Sequence, residues 1–181
     1  MDRKNINMIN IGRNPFAASF ATAIDSAATW NKLKDGGAMK IDGGCYCGRV
    51  TYTAEVDPHT VTICHCSECQ TLSGSAFRTL AFADERTFAL SGAPKSYIKT
   101  TESGGRRELY FCGECGTPIC SSAVSDGPKA YSIRVGTIRQ RADLPPLQQI
   151  WFRSAQAWVT ELAALPTFQK DASSNFGEKA D

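Results

Sequence analysis

The chain has 181 residues, enough for one domain with a true hydrophobic core. Hydrophobic residues at 42% and charged residues at 21% make it globular, and a formal net charge of +2 leaves no basic footprint for nucleic acid. The longest uncharged runs, 14–24 and 115–125, are too short to span a bilayer. What composition does mark is thiol: 8 cysteines beside only 2 histidines.

Residues 1–39 hold no cysteine and read as an N-terminal extension. Asn14-Pro15 followed by Phe16, Phe20, Ile24 and Ala27 predicts a short helix outside the domain, capped by Asn14 with Pro15 in its first turn. Met39 follows Asp35-Gly-Gly-Ala and offers a second translation start, since two glycine codons can spell a ribosome-binding sequence at that distance. The first apolar stretch is Ala/Ser/Thr-rich and Asp2 comes early, so no secretory signal is read. The expected compartment is therefore the cytoplasm, where thiols stay reduced.

From Lys40 the texture becomes short runs of β-forming residues between turn signals. Strands are expected over 50–56, 60–63, 76–83, 87–90, 96–100, 108–112 and 131–137. The breakers include Asp57-Pro58, Ser73-Gly74, Ser91-Gly-Ala-Pro94, Ser103-Gly-Gly105 and Asp126-Gly-Pro128. The fold class is all-β. Residues 154–165 suggest a short helix around Trp158, Leu162 and Leu165, stopped by Pro166, and 169–181 form a polar tail.

The cysteines are clustered as Cys45-x-Cys47, Cys64-x-Cys66-x-x-Cys69 and Cys112-x-x-Cys115, with Cys120 trailing. Such tight groups in a reducing compartment suit metal ligation better than disulfides. Glycines at 43, 44, 48, 113 and 116 mark the outer two groups as tight turns. Two half-sites far apart in sequence make one four-thiolate structural zinc site when a sheet brings them together. The central group supplies three thiolates within six residues. Three protein ligands and an open position describe a catalytic zinc, unless His59, His65, Glu68 or Cys120 closes the site. Spacing leaves open which groups share a metal. Cys120 reads as a buried small residue, and Glu68 as a solvated carboxylate. Tyr110, Phe111, Trp151 and Phe152 read as core, with Trp151 as an alternative pocket wall. Ser73-Gly74-Ser75 reads as a turn, with anion binding by its N–H groups as the alternative.

Three segments together resemble a known family: Gly43-Gly-Cys-Tyr-Cys-Gly-Arg-Val-Thr-Tyr52, Cys64-His-Cys-Ser-Glu-Cys-Gln-Thr-Leu-Ser-Gly-Ser75 and Phe111-Cys-Gly-Glu-Cys-Gly-Thr-Pro118. With the trailing Ile150-Trp151, Trp158 and Leu165-Pro166-Thr-Phe168, they are similar to the glutathione-dependent formaldehyde-activating family, also called the centromere protein V family, over residues 40–168. The resemblance implies a mainly antiparallel β fold of zinc-ribbon character and two zinc ions per chain. Cys45, Cys47, Cys112 and Cys115 would hold the structural ion, and Cys64, Cys66 and Cys69 the catalytic one. It also implies a carbon–sulfur lyase or synthase whose namesake reaction joins glutathione and formaldehyde into S-(hydroxymethyl)glutathione. Its partners would be a small thiol and an aldehyde. Many members carry His before the Ile-Trp pair; here Gln149 stands there, so no role is carried over to that position. Arg49, Arg78, Arg106, Arg107 and Arg134 are the candidates to clamp glutathione's carboxylates. A zinc-stabilised binding module without chemistry, and a thiol-based metal or redox sensor, are the competing readings.

Overall fold

A computed structural model describes residues 37–102 and 104–171; the expected N-terminal helix lies outside the described residues, as does most of the polar tail. Ten strands follow in chain order: β1 (Met39–Gly44), β2 (Thr51–Val56), β3 (Thr62–Cys64), β4 (Arg78–Asp84), β5 (Ala89–Ser91), β6 (Pro94–Thr100), β7 (Arg106–Cys112), β8 (Pro118–Ala123), β9 (Ala130–Arg134) and β10 (Gln148–Ile150). Among the described residues one α-helix, α1 (Ser67–Ser73), interrupts them, and the other helical turns are 3-10. The fold is thus the expected antiparallel β architecture, with a single parallel pairing between β10 and β3.

The main strand order is β1-β2-β4-β9-β8-β7-β6, with β5 beside β2 and β3 between β4 and β10. Alternation explains β2, whose Tyr52, Ala54 and Val56 point inward while Thr51 and Thr53 face out. The core collects Ile41, Val50, Tyr52, Val56, Val61, Ile119, Ile133, Ile138 and Leu144, with Cys120 fully buried among them as expected. Burial pushes the Cys120 thiol up to about 12. Among the described residues no helix is long and apolar enough to cross a membrane.

Several expected elements differ. Strand 131–137 stops at Arg134, and Val135–Thr137 close as a 3-10 turn. The helix expected over 154–165 is instead two 3-10 segments, Phe152–Ser154 and Ala157–Ala164. Trp158, Leu162 and Leu165 are 52%, 40% and 55% exposed, so no packed face favours a regular α-helix there. Phe152 is also largely exposed rather than core, with its edge against the His65 ring.

Candidate metal centre

The turn after β1 carries Cys45 and Cys47, Cys112 ends β7, and the turn after it carries Cys115. These strands stand near opposite ends of the strand order, so the sheet coils until the two turns meet. The four sulfurs all lie within 4.8 Å of one another. Cys45 Sγ is 3.5 Å from Cys47 Sγ, and Cys47 Sγ is 3.7 Å from Cys112 Sγ. A tetrahedral ion with sulfurs at about 2.3 Å separates them by about 3.8 Å, so this group fits a thiophilic divalent metal.

The backbone is shaped to present those sulfurs. Gly48 and Gly116 adopt φ of +78° and +72°, which L side chains rarely adopt. Val50 N–H donates to Cys45 Sγ (3.2 Å), and Tyr46 N–H crosses to Thr117 Oγ1 (3.2 Å). Thr117 Oγ1 also lies 3.1 Å from Cys115 Sγ and holds that thiol down at about 5.

Cys64 ends β3, Cys66 caps α1, and Cys69 sits in its first turn. Their three sulfurs also lie within 4.8 Å of one another, and Cys69 N–H donates to Cys66 Sγ at 3.3 Å. The thiols share charge unequally: contact with its neighbours' sulfurs pulls Cys66 well below the ordinary thiol range and pushes Cys64 well above it. Among the described residues no fourth Cys, His, Asp or Glu joins them. His65 turns away and is fully buried, with Nε2 2.8 Å from Gln149 Oε1. His59 is exposed in the 3-10 turn Pro58–Thr60. Glu68 is not a free solvated carboxylate, since Lys99 forms an ion pair with it.

This second group opens into a cavity of about 470 Å³ on one face of β4, β7, β8 and β9. Leu80, Phe82, Leu109 and Trp151 supply its apolar wall. Four of the five candidate arginines, Arg78, Arg106, Arg107 and Arg134, line it together with Lys99. Arg49 does not: it lies 4.0 Å from Glu114, beside the four-cysteine group. Burial, then the field of Arg78, brings Arg134 down to about 9.

Trp151 is the only non-glycine described residue with positive φ, at 55°. That left-handed backbone turns the chain from β10 into the next 3-10 segment and leaves Trp151 on the cavity wall, with the Arg153 guanidinium 4.8 Å above its ring. Gln70 of α1 ties this wall to the metal loop, donating to His65 O (2.7 Å) and Ser154 O (2.8 Å). Sequence reading passed over Gln70, Lys99 and α1. The available signal was Ser73-Gly74, because Gly74 caps α1 in the left-handed region. The N–H groups of Gly74 and Ser75 are spent on Thr71 O and Gln70 O, so the segment is a helix stop and no anion cradle.

Fold and site define a β protein with two convergent cysteine groups able to hold metal ions, one closed by four sulfurs and one opening on a basic cavity. The chain belongs to the glutathione-dependent formaldehyde-activating enzyme family, whose model matches residues 40–154. The crystal structure of a Rhodobacter sphaeroides protein, a structural genomics target, is similar to 60% of this chain and 98% of its own, at 22% identity and a TM-score of 0.47. No curated protein matches the chain.

Proposed function

We propose that this chain is a zinc-dependent carbon–sulfur lyase or synthase acting on a thiol–aldehyde adduct, of which glutathione plus formaldehyde is the namesake case. The observation that carries the reading is the three-sulfur group without a fourth ligand, opening into a basic cavity with an apolar wall. In this reading Cys45, Cys47, Cys112 and Cys115 hold a structural zinc, and Cys64, Cys66 and Cys69 hold the catalytic one. The domain is residues 40–168, and the cytoplasm is its compartment.

When bound at the open group, zinc would supply a cationic centre that favours the thiolate form of an incoming thiol and steadies charge on an aldehyde oxygen. The chain's own residues do the rest. Glutathione carries two carboxylates and one ammonium, and Arg106 and Arg107 on β7 suit the carboxylates. Leu80, Phe82, Leu109 and Trp151 thin out water around the reacting atoms, and holding thiol and carbonyl together lowers the entropic barrier to addition.

The test uses zinc-loaded protein of measured metal content and follows exchange between free and glutathione-bound formaldehyde by NMR. Wild type is expected to accelerate the exchange over the spontaneous rate, and Cys66→Ser to lose the acceleration. Equal, uncatalysed rates with two zinc ions bound would sink the lyase reading and favour a zinc-stabilised binding module.

A further inference from the structure

The basic residues of the cavity fall into two tiers. Arg106 is exposed and Lys99 and Arg107 are half-buried, whereas Arg78 and Arg134 are only 6% and 8% exposed. Arg78 is the direct partner of Cys64 across β3 and β4, so the two side chains share a face about 5 Å apart at Cβ. Arg134 is the partner of Leu80, two residues along β4 on the same face. Two guanidinium groups therefore stand side by side against the three-cysteine group.

Among the described residues, no carboxylate pairs with either of them. Glu68 and Glu102, the two carboxylates of the cavity, are taken by Lys99 and Arg153. Arg134 Nη1 reaches Ser132 O at 3.3 Å, and its Nε is buried without a partner. A divalent ion on three thiolates carries one net negative charge, which answers one guanidinium and leaves the other uncompensated. A buried cation without an anion is costly, so the arrangement is built for an anion that arrives with the substrate.

The place of the pair says which anion. In glutathione the sulfur is separated from the nearer carboxylate by most of two residues, a reach that suits the outer tier. A cation next to the metal ligands suits a charge next to the reacting carbon. We infer that Arg78 and Arg134 form a carboxylate subsite beside Cys64, and that the carbonyl partner is an aldehyde bearing its carboxylate on the reacting carbon, a 2-oxo acid of the glyoxylate type. The substrate class rests on the lyase reading above; the subsite does not. In the addition, the sulfur–carbon bond forms, the carbonyl π bond breaks and the thiol proton ends on the carbonyl oxygen. The carboxylate is unchanged and no oxidant or reductant is needed.

The test compares glyoxylate with formaldehyde and the neutral methylglyoxal in glutathione exchange, on zinc-loaded wild type, Arg134→Gln and Arg78→Gln. A second readout is saturation-transfer NMR of glycolate, a carboxylate that cannot react. Wild type is expected to prefer glyoxylate over both neutral aldehydes. Each variant should lose at least about tenfold of that preference and lose the glycolate signal. Circular dichroism and zinc content check folding; Arg134→Gln removes a buried charge with no carboxylate partner and is expected to fold. If zinc content falls while the preference stays, the arginines only balance the thiolates and the inference is overturned. Acceleration with formaldehyde alone, without glycolate binding, overturns it as well and leaves the lyase reading intact. Glycolate binding that needs Arg134, in a protein that turns over none of the three aldehydes, upholds the subsite and removes the lyase reading.

Discussion

The two cysteine groups offer the same ligand atom from opposite settings. The four-cysteine group joins turns that are 65 residues apart at Cys47 and Cys112, and Cys112 is 99% buried beside the core. The three-cysteine group lies within one strand-to-helix passage, where Cys66 and Cys69 are three residues apart. Closing a long loop removes much chain entropy and stabilises the fold, whereas clamping neighbours on the chain removes little. Distance along the chain thus separates the two sets: a metal on the four-cysteine group would close a long loop, and one on the three-cysteine group only a short one.

The largest expected effect breaks the first group. Cys112→Ser should abolish the cooperative thermal transition and the metal bound by the four sulfurs, as seen by circular dichroism and metal analysis. Retention of a native-like melt would show that the coiled sheet holds without the clamp. The same change in the second group should behave otherwise. Cys66→Ser is expected to keep the far-ultraviolet spectrum and most of the thermal stability while losing about half of the bound metal. A collapse equal to that of Cys112→Ser would erase the distinction between the groups.

A smaller effect comes from the strut between α1 and the Trp151 segment. Gln70→Ala removes bonds to His65 O, Ser154 O and Gln156 Nε2, and should cost about 1–3 kcal/mol. Hydrogen exchange should quicken at residues 150–156 and not at the four-cysteine turns. Spread of that effect to both groups would show them to be mechanically coupled.

The smallest effect at neutral pH concerns the core near the four-cysteine group. Tyr52 is raised from 10.0 to about 12 by burial, and Cys120 from 9.0 to about 12 by burial. Both are acids whose neutral form the fold prefers, so their contribution is complete below pH 9 and is lost as pH rises through about 12. Chemical denaturation between pH 8 and pH 12 should show stability level at first and then falling. Tyr52→Phe, which keeps the ring but removes the Thr137 bond, should shrink the fall.

Legibility followed burial. Thr51–Val56 alternates because one face is wet, and that pattern announces a strand in the sequence. Pro118–Ala123 was missed because Ile119, Cys120, Ser121 and Ser122 are all buried, so no alternation survives and small polar residues mask the strand. Gln148–Ile150 has little signal of its own; parallel pairing with β3 makes it a strand. The extension before Gly37 and most of the tail lie outside the described residues.

The sequence by itself determined the β character and the grouping of seven cysteines with their turn glycines, because ligand spacing and glycine conformations are local properties of the chain. Only the tertiary structure decided which groups converge, since that depends on how the sheet coils. It also decided what surrounds the open group. Arg78, Arg134, Lys99 and Trp151 come from β4, β9, β6 and the turn after β10, and only strand register puts them on one face. A lone arginine in the sequence looks like any surface charge. Burial beside three thiols, without a carboxylate in reach, is a property of the fold.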